Sequence, residues 1–218
     1  MLECLLDMNS LFQSRPYTDE ERRSAVLNVI DNATPDRDFY LLTVGAALFA
    51  LCGIALDSIP VLIGAMIVAP LASPILALAL GFATKDMQIA LRSFGVLVLA
   101  MLVATVVASI FAHFLPPFTI NGTYISFIAH PFYDLAIALI AGAIASYGQM
   151  RVKVGNALTG IGIAVSLMPP LIASAIALGR FDVNLFYESA LIFLLNVAGI
   201  LVGSFIVFVA FRITTRHQ

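Results

Sequence analysis

Charged residues divide this chain into long uncharged blocks. Between Asp38 and Asp57 lie 18 residues without a charge, and between Asp57 and Lys85 there are 27. Between Lys153 and Arg180 there are 26, and between Glu188 and Arg212 there are 23. A helix needs about 20 apolar residues, within a range near 17–25, to cross a hydrocarbon core about 30 Å thick. Four spans follow directly, and the uncharged stretch from Ser93 to Tyr133 supplies a fifth and an aromatic-rich connector. A sixth begins at Phe132, with Asp134 near its start. The pattern predicts an all-α polytopic membrane protein with spans over 39–57, 59–83, 94–115, 132–150, 155–179 and 188–211. Residues 1–38 form a cytoplasmic N-terminal amphipathic segment, 39–211 the transmembrane domain and 212–218 a cytoplasmic tail.

The basic residues test that count independently, because cytoplasmic loops collect Lys and Arg. Six spans place Arg15, Arg22, Arg23 and Arg37 before the first helix, and Lys85 and Arg92 after the second. Arg151 and Lys153 follow the fourth, and Arg212 and Arg216 come after the sixth. Arg180 alone falls on the opposite side. Both ends are therefore expected in the cytoplasm of a cell whose plasma membrane holds the protein.

Composition agrees: 61% of the residues are hydrophobic and 11% charged, against roughly 45–50% and about 25% in soluble domains. A net charge of −2 offers no basic surface for nucleic acid. The opening MLECLLDMNSLF lacks a basic n-region and is interrupted by Glu3 and Asp7, so it reads as a surface-lying turn or two, not a secretory signal. Thr18 and Glu21 form a capping box that opens a short cytoplasmic helix. Cys4 and Cys52 lie too far apart along this topology to pair.

The chain repeats itself. The second span contains GAMIVAPLASPILALALG from Gly64, and the fifth contains GIGIAVSLMPPLIASAIALG from Gly160. Gly64 precedes Pro74 as Gly160 precedes Pro170, with a common offset of 96 residues. Two three-helix halves must insert with opposite orientations, the inverted arrangement of many secondary transporters.

The same residues carry a family resemblance. Ser58-x-x-VLIGAMIVAPLASPILALALG resembles the most characteristic stretch of the DUF389 family of prokaryotic membrane proteins. GIGIAVSLMPPLIASAIALG and ALIFLLNVAGI, Ala190–Ile200, are similar to its second-half motifs. The resemblance covers Phe39 to Phe211 and implies a helical membrane domain with no assigned activity.

Proline lacks an N–H and clashes with the carbonyl four residues back. Pro70 and Pro74 are expected to release the carbonyls of Met66 and Pro70, and Pro169 and Pro170 those of Val165 and Ser166. Adjacent prolines disfavour helical geometry at their predecessors, so Met168 and Pro169 should be extended and both proline-bearing spans broken. Freed backbone groups cannot face lipid. A substrate site is therefore expected around Gly64, Met66, Pro70, Ser73, Pro74, Gly160, Val165, Ser166, Pro169 and Pro170. The alternative is a pair of kinks healed by Ser73, Ser166 and neighbouring helices.

Other side chains divide between packing and chemistry. Asn196 with Gly199 and Gly203 forms a small-residue stripe suited to helix packing, within the chain or between protomers of a homo-oligomer. Ala138, Gly142 and Ser146 form a similar stripe. Asp57, Asp134 and Glu188 fall on the outer side, either as a cation-attracting vestibule or as helix-start residues favoured by the dipole. No metal-binding or nucleophile motif occurs, so neither enzyme chemistry nor a cofactor is expected. The expected function is transport of a small solute or ion through the bilayer. Free carbonyls favour a cation and half-helix N-termini an anion, leaving the sign open. The rival is a membrane scaffold or sensor that recruits a partner through its N-terminal helix.

Overall fold

The computed structural model describes residues 19–116, 118, 131–150 and 156–211. Among them are eight helices and no strand: α1 (Asp19–Asn32), α2 (Arg37–Ala55), α3 (Ile59–Val68), α4 (Ala72–Thr84), α5 (Met87–Phe114), α6 (Pro131–Met150), α7 (Asn156–Gly179) and α8 (Val183–Ala210). Thr18, and with it the expected capping box, lies outside the described residues, as do Cys4 and the tail 212–218.

Helices α2, α5, α8 and α6 from Phe132 are long and apolar enough to cross a bilayer. The α3–α4 pair, bent by 49°, makes a fifth if counted as one span. Their outward sides carry exposed Leu41, Leu102, Val106, Ile140 and Leu191, as lipid-facing helices should. This is a helical membrane protein.

Three corners share one design. Asp57, Lys85 and Phe181 have φ of 48°, 58° and 59°. The next N–H, of Ser58, Asp86 or Asp182, donates back to the carbonyl of Gly53, Gly81 or Ala177 at 2.9 Å. A left-handed residue with a six-to-one hydrogen bond closes a helix by satisfying its last carbonyls. Asp86 then caps α5, accepting from the N–H groups of Gln88 and Ile89 at 3.1 and 3.2 Å. Asp182 caps α8, accepting from Leu185 N–H at 3.1 Å. These caps set the helix starts. Hence α5 begins seven residues before the expected 94, and α8 five before 188; a lone Arg92 or Glu188 does not end a helix. Glu188 accordingly does not begin a helix, because Asp182 holds that position.

The two capped helices match closely. Each has 28 residues, and Val183 follows Met87 by the same 96 positions that separate Ala210 from Phe114.

Helix α7 is the centre of the bundle. It packs against α2, α3, α4, α5, α6 and α8, and residues 167–177 are buried without interruption. A helix apolar on every side belongs inside such a core. Ala25, Val26 and Val29 bury the inner face of α1, which packs on α4 and α6.

Candidate functional site

The break between α3 and α4 follows from Pro70. Its ring pushes the preceding residue out of helical geometry, and Ala69 has φ −67° and ψ 122°. Ala69 N–H still donates to Ala65 carbonyl at 3.1 Å, so α3 closes normally. Leu71 returns to helical angles and α4 resumes at Ala72. Pro74 then stands third in α4, where no N–H has an intrahelical partner to lose. The expectation that Pro74 frees a carbonyl is therefore corrected: Pro70 carbonyl accepts from Ser73 N–H at 3.4 Å. Ala69, Leu71, Ala72 and Pro74 are buried, with Pro70 and Ser73 half-buried, which permits irregular backbone inside a membrane. Met66 is buried, and Gly64 lies against Phe49 of α2, where an added methyl would be 3.2 Å from the ring.

Helix α7, expected as the fifth span, departs from expectation. Helix α7 runs unbroken through Pro169 and Pro170, and Met168 and Pro169 are helical, not extended. The reason lies thirty residues away. Asn196 Nδ2 donates to Ser166 carbonyl at 2.7 Å, replacing the bond that Pro170 cannot give. Ser166 Oγ donates to Ile163 carbonyl at 3.0 Å, and Ser174 Oγ to Leu171 carbonyl at 2.7 Å. Dense packing around Leu167, Met168, Leu171 and Ile172 outweighs the local preference of adjacent prolines. At the position 96 residues before Asn196 stands Ala100, buried and without a donor. The break in the first half has its own cause, Pro70 acting on Ala69.

Asn196 is 3% exposed, and its Oδ1 has no hydrogen-bond partner among the described residues. A buried acceptor without a protein partner is costly. Sequence reasoning placed Asn196 with the packing residues; only the fold joins it to Ser166. Gly160 and Val165 lie in α7. The two proline clusters stand on neighbouring elements, since α3 and α4 both contact α7.

Gly199 and Gly203 are occupied by α6 of the same chain. A methyl on Gly199 would sit 3.0 Å from Ala138 Cβ, and one on Gly203 would strike Leu139 carbonyl oxygen. A methyl on Gly142 would strike Ile200 carbonyl oxygen, and Ser204 Oγ donates to Gly142 carbonyl at 3.1 Å. Both stripes thus meet each other within one protomer.

Of the three carboxylates expected on the outer side, Asp134 and Glu188 stand apart. Asp57 is exposed at the α2–α3 corner, Asp134 is half-buried in the first turn of α6, and Glu188 is exposed. Leu135 lies beside Gly199, eleven residues past Glu188, which at about 1.5 Å per residue is roughly 16 Å along α8. A different cluster forms at that end. His113 Nδ1 lies 3.1 Å from Gly179 carbonyl oxygen. Arg180 donates to Phe118 carbonyl at 2.6 Å and stacks 3.8 Å over its ring. His130 is outside the described residues. Among the described residues, no group of three or more His, Cys, Asp or Glu side chains could hold a metal ion.

A family described as "Domain of unknown function (DUF389)" matches residues 66–202. The uncharacterized protein MJ0678 of Methanocaldococcus jannaschii is 29% identical over 184 residues, covering 84% of this chain. The chain spans 57% of that relative's length. No solved structure matches significantly.

Proposed function

The chain belongs to the DUF389 family, and on that premise we propose that it is a transporter or channel for a small solute or ion. Its site lies between the α3–α4 break and α7. The observation that carries the reading is the buried interruption at Ala69–Leu71, packed beside the helix whose backbone Asn196 repairs. Non-helical backbone within a membrane is tolerated where protein buries it or where it lines a cavity, and such interruptions mark transporter sites. The free Oδ1 of Asn196 adds an acceptor suited to a cation or a hydrogen-bond donor.

Counting α3–α4 and α7 as spans gives six, in two inverted halves. The equal lengths and common offset of α5 and α8 support that repeat. So does the packing: α5 lies against α7 while α8 lies against α4, each half's third helix on the other half's second. Arg92 and Glu188 occupy matching positions 96 apart, and opposite orientations leave the basic one on the cytoplasmic side. Both termini are then cytoplasmic, in the plasma membrane. The scaffold reading is weakened because the apolar face of α1 is already covered by α4 and α6.

The test is flux through pure protein in liposomes, across monovalent cations, anions and neutral polar solutes, for the wild type and Pro70→Ala. Alanine at 70 restores an N–H for Met66 carbonyl and should straighten the 49° bend. Saturable wild-type flux, lost in a folded Pro70→Ala protein, is expected. Flux retained in that variant removes the site, and no flux for any solute removes transport.

A further inference from the structure

A second site stands apart from the proline elements. A cleft of 250 Å³ opens where the end of α1 meets α4 and the start of α5, lined by Ile30, Ala33, Ala77, Gln88, Arg92 and Ser93. One water needs only about 10–15 Å³ of such space, so a polyatomic ligand fits. Arg92 has no ion-pair partner among the described residues, and no carboxylate lines the cleft. Gln88 is one turn before Arg92 on the same helical face, where i and i+4 side chains meet. Asp86 already satisfies the N–H groups of Gln88 and Ile89, so the helix start itself is not the attraction. The cleft wall thus carries a guanidinium, a side-chain amide and a hydroxyl beside apolar Ile30, Ala33 and Ala77.

We propose that this cleft binds a phosphate-ester anion, held by Arg92, Gln88 and Ser93, and that its source is the headgroup of an anionic phospholipid. A guanidinium fork matches phosphate oxygens in two parallel hydrogen bonds. The apolar lining suits the ester and glycerol portion better than a fully hydrated ion. Leu91, 64% exposed, adjoins Arg92 and continues the lipid-facing surface where acyl chains would lie. Basic pockets between membrane helices bind lipid headgroups by this chemistry.

The test uses the full chain in mild detergent, with two ligands and three proteins. Phosphatidylglycerol retention is read by native mass spectrometry, and inorganic phosphate binding by thermal shift. Wild type should retain phosphatidylglycerol, and Arg92→Gln should bind it roughly tenfold or more weakly, the effect of losing a charge-assisted hydrogen bond. Lys85→Gln, at the neighbouring exposed corner, should bind as wild type does. Saturable inorganic phosphate binding without lipid retention upholds the phosphate site and overturns the lipid source. The site is overturned if wild type binds neither ligand, if Arg92→Gln binds both unchanged, or if Lys85→Gln loses as much.

Discussion

The bond from Asn196 to Ser166 can be weighed by a double-mutant cycle with Pro170. A carbonyl only accepts, so the amide must present Nδ2, as it does at 2.7 Å. Asn196→Leu keeps the volume, removes that donor and leaves Ser166 carbonyl without a partner. An orphaned buried acceptor costs about 1–3 kcal/mol, while interhelical hydrogen bonds in a membrane protein average about 0.6 and reach about 1.7. The same substitution also removes the unpartnered Oδ1, which returns energy of similar size. The single mutant is therefore uninformative. In a Pro170→Ala background the restored N–H takes Ser166 carbonyl, and Asn196→Leu leaves nothing orphaned. The coupling should be about 1–2 kcal/mol, because proline bars the intrahelical repair that usually softens such losses. Asn196→Leu should be the less costly in the Pro170→Ala protein. Reversible unfolding of all four proteins in mixed micelles measures it. Coupling below about 0.5 kcal/mol, the scatter of independent sites, would refute the proposed repair of α7.

Two further outcomes check the fold. Gly203→Ala and Gly142→Ala must widen the α6–α8 contact and should cost about 1–3 kcal/mol each, with particle mass by light scattering unchanged. Gly95→Ala, with open space around the new methyl, should instead raise the melting temperature through about 0.5–1 kcal/mol of helix preference; equal shifts at 95 and 203 would contradict the packing. In a background without Cys4 and Cys52, Asp57→Cys should react with an impermeant reagent from outside and Lys85→Cys only after lysis. Reaction of both from one side would remove the six-span arrangement.

The interruption beside Pro70 was legible because proline acts locally. Pro70 needs only its own ring and its predecessor to break a helix, and the interruption falls beside it. The pair Pro169–Pro170 carries a stronger local signal and yet leaves α7 continuous. The continuity of α7 rests on a donor from a distant helix, Asn196, which reaches Ser166 carbonyl. The equal registers of α5 and α8 were half-visible, since Asp86 and Asp182 stand 96 apart, but a single aspartate is a weak cap signal until its accepted bonds are known.

What the chain determined by itself is what depends on composition over a helix length: which blocks are apolar enough to cross a bilayer, and where a proline denies its neighbour a hydrogen bond. Uncharged runs must avoid water whatever their neighbours are, so they can be read without the fold. Tertiary structure alone decided which interrupted carbonyls find a partner, which glycines let backbones touch, and where Arg92 faces a cleft. Each of these depends on side chains brought together from separate helices, and one sequence does not state those distances.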